Sequence, residues 1–270
     1  MMVKDSGHDM RVYYYFDPER KGNDAVEGNF DVLDDILKNR RIKICSVSRA
    51  NDPFDFQVSF DCTISQSYVR GFRNAFKRLK EKFGIVCFSE SVDNVLMWSH
   101  YADKHQGLVL GLDVNENMLT QVDYLPIAPR IIPNRGKCKA CPYGYTGVMR
   151  SVMRTKAIDW AYEKEWRLIL NYSEVQNIQV GKSEDGAVSA RYYLLPPTSI
   201  QSLYIGVRCE LKLVDVFSLL HKHGLDQVGV YKMVQSFDGY SLSASCLGTY
   251  EKHQERIKLY LNRMIKQIRN

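Results

Sequence analysis

No apolar run in this chain approaches the roughly 18 residues needed to cross a bilayer as a helix, which argues against a helical membrane protein. The first residues carry Lys4, Asp5 and His8 where an export signal would have its apolar stretch, so a cytoplasmic chain without a membrane partner is expected. A Walker-type loop, G-x-G-x-x-G, G-x-S-x-G and H-E-x-x-H are all absent. The common signatures of phosphotransferases, dehydrogenases, hydrolases and metalloproteases are therefore missing. Cysteines number seven, are scattered, and are expected as reduced thiols. Cys138 and Cys141 form a C-x-x-C, yet no second C-x-x-C or H-x-x-x-H supplies the other two ligands of a structural zinc, and no metal is expected. Repeats, low-complexity tracts and convincing linkers are lacking as well.

What is present suits a folded protein. The chain has 270 residues, 45% hydrophobic and 25% charged, enough to bury a full core. Its net charge of +6 is unevenly spread: residues 124–158, 66–83 and 249–270 carry +7, +5 and +4, which leaves −10 on the remainder. Such asymmetry marks either a surface that faces phosphate or nucleic acid, or ordinary solvated faces that never meet.

Residues 66–83 read as the clearest helix. Val69, Phe72, Phe76, Leu79 and Phe83 form an apolar stripe, with Arg70, Arg73, Lys77 and Lys80 as a basic ridge beside it. Strands are expected at 12–16, 41–47, 85–89, 108–112, 164–170, 192–195, 203–206 and 228–234, and helices from Asn29 onward, at 95–102, 148–156, 210–223 and 249–268. The closing helix would bury Ile257, Leu261, Met264 and Ile268. Strands and helices intersperse without a clean βαβ alternation, so the expected class is α+β, with mixed or antiparallel central sheets and flanking helices. The simplest parse is one domain over 1–248 and a basic helical extension over 249–270.

Three polar clusters could carry chemistry. Asn51-Asp52-Pro53-Phe54-Asp55 favours an Asx-type turn with Phe54 anchored in the core, or a substrate contact through Asn51 or Asp52. In Cys87-Phe88-Ser89-Glu90-Ser91, the hydroxyls of Ser89 and Ser91 would share one strand face and could meet a ribose or phosphate. In the stretch from Trp160 to Arg167, a strand starting near Glu163 would put Glu163, Glu165 and Arg167 on one face and pack Trp166 inward. Two carboxylates about 7 Å apart could split roles in glycosyl transfer, one stabilising a cationic sugar and the other positioning a nucleophile. A solvent-facing salt-bridge ladder is the plain alternative.

Taken in order, Tyr13-Tyr14-Tyr15, the Asn51–Asp55 cluster, Cys87-Phe88-Ser89-Glu90, Met97-Trp98-Ser99-His100-Tyr101-Ala102 with Gly107, and Glu163-Lys164-Glu165-Trp166-Arg167 resemble the bacterial family called domain of unknown function 2971. The resemblance covers roughly residues 11–240 and implies a cytoplasmic effector of the kind found in mobile elements and phage-defence regions, with a toxin role in view. Arg11, then Ser89 with Ser91, then Glu163 with Glu165 also resemble, in order, one class of ADP-ribosyltransferases. That resemblance implies NAD as cofactor, with Arg11 on its phosphates and Ser89 supporting the nicotinamide ribose. It further implies Glu165 on a ribose hydroxyl and Glu163 orienting the acceptor.

The expectation is thus an ADP-ribosyltransferase-like enzyme with catalytic Glu165 and Glu163. Arg11, Ser89, Ser91, Trp98 and Tyr101 would hold the cofactor. Asn51, Asp52, Arg167, Arg70, Arg73 and Lys77 would hold a macromolecular substrate, with a neutralising companion protein as a further partner. Two other readings remain open: a nucleic-acid-binding module or nuclease without NAD, and a non-catalytic interaction component.

Overall fold

The computed structural model describes residues 8–18, 31–47, 52–131, 133–134, 137–138, 144–182 and 188–268. Asn29, Phe30, Asn51 and Cys141 lie outside them. The architecture is mixed α+β, and the chain forms two compact units, each assembled from separated stretches of sequence.

The first unit comprises Met1–Asp9, Ile42–Glu90 and Asn115–Leu194. Its sheet is built on Phe83–Ser89, whose buried residues fit a strand covered on both faces. Glu165–Asn171 runs antiparallel to it over its full length, from Glu165 opposite Ser89 to Asn171 opposite Phe83. Leu119–Gln121 pairs with the far side of Glu165–Asn171, and Cys45–Ser46 also pairs with Phe83–Ser89. Gly84 sits where Ile44 and Tyr172 close in: a Cβ there would collide with Ile44 Cγ2. It is a strand residue rather than the end of the preceding helix.

That helix is Gln66–Lys80, capped by the Ser65 hydroxyl, which accepts from the Tyr68 N–H at 3.3 Å. Phe72 and Phe76, one turn apart, bury against Val148, Met149, Val152 and Met153 of the helix Gly144–Met153. Each such side chain contributes about 1.5–3 kcal/mol. This second helix stops at Met153, short of the sequence expectation. Thr155–Ala157 is instead a strand, parallel to Asp123–Leu125. In the loop before the first helix, Phe54 is 72% exposed while Phe56 is buried. The anchor is therefore two residues later than expected. Phe56 takes it with φ of 58°, a left-handed turn that reverses the chain into the core.

The second unit comprises Met10–Arg41, Ser91–Val114 and Leu195–Asn270. Leu108–Asn115 pairs antiparallel with Ile200–Ile205, which pairs parallel with Gly229–Gln235, and a hairpin returns as Leu242–Gly248. Asp9–Phe16 lies beside Leu108–Asn115. Leu108, Leu110, Leu112, Leu203 and Ile205 form its apolar interior. The helices Asp31–Asn39 and Leu213–Lys222 are tied by Asp34, which accepts from Lys222 Nζ at 2.9 Å and pairs with His223 Nε2 at 2.8 Å. The closing helix Tyr250–Ile268 stacks Tyr250 on His221 and His253 on Phe217 at 4.3 and 4.4 Å. Ile257, expected in its buried edge, is 38% exposed, because the contact runs through these rings instead. No helix among the described residues is long and apolar enough to cross a membrane.

Candidate active site

Glu163 ends a short 3-10 helix, Ile158–Glu163, and Lys164 follows with φ of 45° before the strand begins at Glu165. The expected uninterrupted strand from Glu163 is thus corrected. The left-handed residue turns Lys164 out to solvent and leaves both carboxylates inside, with side chains 3% and 4% exposed. Trp166 is half-buried rather than packed inward, and its indole N–H donates to Glu90 Oε2 at 3.3 Å. The pleat sends Glu165 and Arg167 to the interior and Trp166 to the opposite face.

The result is a buried cluster of five charges. Arg167, fully buried, spends all five of its N–H donors. Two go to Glu165 at 2.7 and 3.0 Å, two to Asp55 at 2.8 and 3.3 Å, and one to the Met153 carbonyl at 2.7 Å. Its guanidinium also lies 4.9 Å from the Phe56 ring centroid. Lys156 donates to Glu163 Oε2, and to Glu165 Oε2 at 3.1 Å, with Trp160 at 5.0 Å. Tyr124 Oη accepts from the Glu165 backbone N–H at 2.8 Å. Three carboxylates against two cations leave the cluster at −1 when all are ionised.

Burial would push Glu165 up, but the Arg167 guanidinium and Lys156 outweigh it and hold the carboxyl at about 2. Burial would likewise lower Lys156 and Arg167, and their carboxylate neighbours raise both instead. Asp55 goes the other way: burial raises it, against the pull of Arg167 and Lys156. At neutral pH Glu165 is a permanent carboxylate and Lys156 a permanent ammonium. Glu165 is therefore held ionised between Arg167 and Lys156 and is not placed to donate a proton.

Lys156 connects this cluster to a cleft of about 320 Å³ whose wall also includes Asp52, Phe54, Phe56, Asp159 and Trp160. Asp52 holds the loop as an Asx turn, accepting from the Phe54 N–H at 2.8 Å. The cleft thus combines aromatic surface with two acidic groups and the Lys156 ammonium.

Ser89 comes directly to this site. It is buried, faces Glu165 across the sheet, and its hydroxyl donates to the Glu163 carbonyl at 2.6 Å. Ser91 lies past the end of that strand, so the shared face expected for the two hydroxyls does not form; the Ser91 hydroxyl instead bonds to Asp93. In the second unit, Trp98 is fully buried, its indole N–H donating to the Val92 carbonyl at 2.6 Å and its ring edge-on to Tyr15 at 5.5 Å. Tyr101 ends the same helix, 6.2 Å from the His100 ring. Arg11 pairs with Asp113 at 2.5 Å. Arg70, Arg73 and Lys77 stand exposed on the Gln66–Lys80 helix. Lys156, Asp55 and Tyr124 were not foreseen as members of a site. Only Asp55 carried a signal, as the last residue of the Asn51–Asp55 cluster. Among the described residues no group of His, Cys, Asp and Glu is placed to hold a metal.

No family model matches the chain, and neither a curated protein nor a solved structure does.

Proposed function

We propose that this protein is an ADP-ribosyltransferase-like enzyme that transfers the ADP-ribosyl group of NAD to a macromolecule. The observation that carries the reading is the meeting of two distant motifs. Ser89 and Glu165 occupy facing positions on adjacent strands, and the Ser89 hydroxyl ties down Glu163. In this reading the nicotinamide–ribose bond breaks with its electron pair leaving on nicotinamide, and the acceptor nucleophile bonds to the ribose carbon and loses its proton. Glu165, kept ionised by Arg167 and Lys156, stabilises the cationic sugar that forms between these events. Lys156 is the ligand of Glu165 that faces the cleft, so its bond is the one a ribose hydroxyl would replace. Trp160 and Phe54 offer flat surface to the nicotinamide ring. Labelled NAD incubated with cell extract and the full chain should mark a macromolecule, and Glu165→Gln should abolish marking while keeping the wild-type circular dichroism. No label transfer and no nicotinamide release by folded wild type would overturn the proposal.

A nucleic-acid acceptor, or nucleic-acid binding without NAD, is supported by the Gln66–Lys80 helix. It carries Arg70, Arg73, Lys77, Arg78 and Lys80 with no acid, and no ion pair among the described residues involves them. At 1.5 Å rise per residue, Arg70 to Lys80 spans about 15 Å, room for several phosphates.

A further inference from the structure

In the second unit, the chain leaves the helix Val95–Tyr101 through three successive non-glycine residues with left-handed backbone. They are Asp103, Lys104 and His105, with φ of 41°, 53° and 72°. One such residue is uncommon, and three in a row persist only where the surroundings dictate them. Here they do. A Cβ on Gly206 would collide with the His105 carbonyl oxygen, and one on Gly107 would stand 2.6 Å from the Phe16 carbonyl oxygen. The Arg208 N–H donates to the His105 carbonyl at 3.0 Å, and the Gly107 N–H to the Ala102 carbonyl at 2.8 Å.

The strained turn brings His105 and Arg208 together on the wall of a cleft of about 340 Å³, which also includes Gln235, Ser236, Tyr240 and Leu242. No carboxylate among the described residues lines it, and the Ser236 hydroxyl donates to Asp238 on the adjoining turn. Burial and then the nearby Arg208 charge lower the His105 pKa, so the imidazole is neutral at pH 7 and offers one donor and one acceptor. Tyr240 and Phe237, on the turn between Gly229–Gln235 and Leu242–Gly248, are fully exposed aromatics. An exposed guanidinium, an uncharged imidazole, hydroxyl and amide groups and a free aromatic face make a set that recognises a phosphate joined to a flat heterocycle.

We propose that this cleft binds a nucleoside phosphate, with Arg208 and His105 on the phosphate and Tyr240 stacked on the base. The site stands apart from the glycosyl-transfer reading and does not need it. The test is calorimetric titration of the full chain with AMP, adenosine and NAD. AMP should bind saturably and adenosine at least about tenfold more weakly. Arg208→Gln and Tyr240→Ala should each weaken AMP binding about tenfold with unchanged melting temperature. His105→Asn, which keeps a residue tolerant of left-handed backbone, should weaken it as well. Loss in these variants of one of two NAD-binding events identifies a dinucleotide as the source of the phosphate, and NAD binding unaffected by them identifies a mononucleotide. AMP that fails to bind at millimolar concentration, or that binds Arg208→Gln and Tyr240→Ala as tightly as wild type, overturns the proposal.

Discussion

Replacing Arg167 by methionine keeps most of the side-chain volume and removes the guanidinium from the centre of the buried cluster. The wild-type side chain makes five hydrogen bonds, four of them to carboxylates whose own exposure is 4% and 6%. Its loss leaves Glu165 with Lys156 and the Cys87 thiol, and strips Asp55 of its guanidinium. Breaking a buried ion pair in this way costs about 3–5 kcal/mol. With a urea slope of about 2 kcal/mol/M, the unfolding midpoint should fall by about 1.5–2.5 M at pH 7. The pH dependence adds a second signature. Glu165 titrates at about 2 in the folded chain and near 4.3 when unfolded. As the pH falls the unfolded chain takes up this proton first. The Glu165 contribution is therefore complete above about pH 4.3 and is lost between there and about pH 2. The Arg167→Met deficit should accordingly shrink on going from pH 7 to about pH 3. A deficit under about 1 kcal/mol at pH 7 would refute the view that this network governs the stability of its unit. A deficit that does not change with pH would refute the electrostatic part of the reasoning.

Single side chains elsewhere set further expectations. Gly206→Ala drives a methyl group into the His105 carbonyl and should destabilise by about 1–3 kcal/mol, read as a lower melting temperature; an unchanged one would mean that the left-handed turn yields easily. Arg73→Glu together with Lys77→Glu should weaken single-stranded nucleic-acid binding and make it less salt-dependent, by about 0.7 in log–log slope for each phosphate no longer neutralised. Salt-independent binding would contradict a phosphate-facing helix. Phe54→Ala should leave stability within about 0.5 kcal/mol, because the ring is 72% exposed. Phe56→Ala should cost about 3–5 kcal/mol in the same urea series.

The amphipathic helix at Gln66–Lys80 was legible because its apolar residues recur every three or four positions, a local property that survives packing. Its far end was not. Phe83 continues the stripe but is drawn into a strand by seven consecutive pairings with Glu165–Asn171. Leu242–Gly248 escaped notice because its Ser, Ala, Cys and Gly residues have little strand character, and it exists through pairing with Gly229–Gln235. Glu163, Glu165 and Ser89 could be picked out by motif. That they are buried rather than lining an open ladder could not, since burial depends on Arg167 meeting Asp55, 112 residues away. Lys156 was hidden in a basic stretch that reads as uniform. It becomes distinct only when Thr155–Ala157 leaves the helix and pairs with Asp123–Leu125, which brings Lys156 between the two glutamates and the cleft.

If the Ser89–Glu165 pairing serves glycosyl transfer, the bond between nicotinamide and ribose is the one that must break. Chromatographic measurement of nicotinamide released from NAD by the purified full chain, with and without cell extract, tests this most directly. Release should rise with extract and fall by about 100-fold or more in Glu165→Gln, the scale expected when one group that stabilises transition-state charge is removed. Wild-type protein, folded by circular dichroism, that releases no nicotinamide under either condition would contradict it.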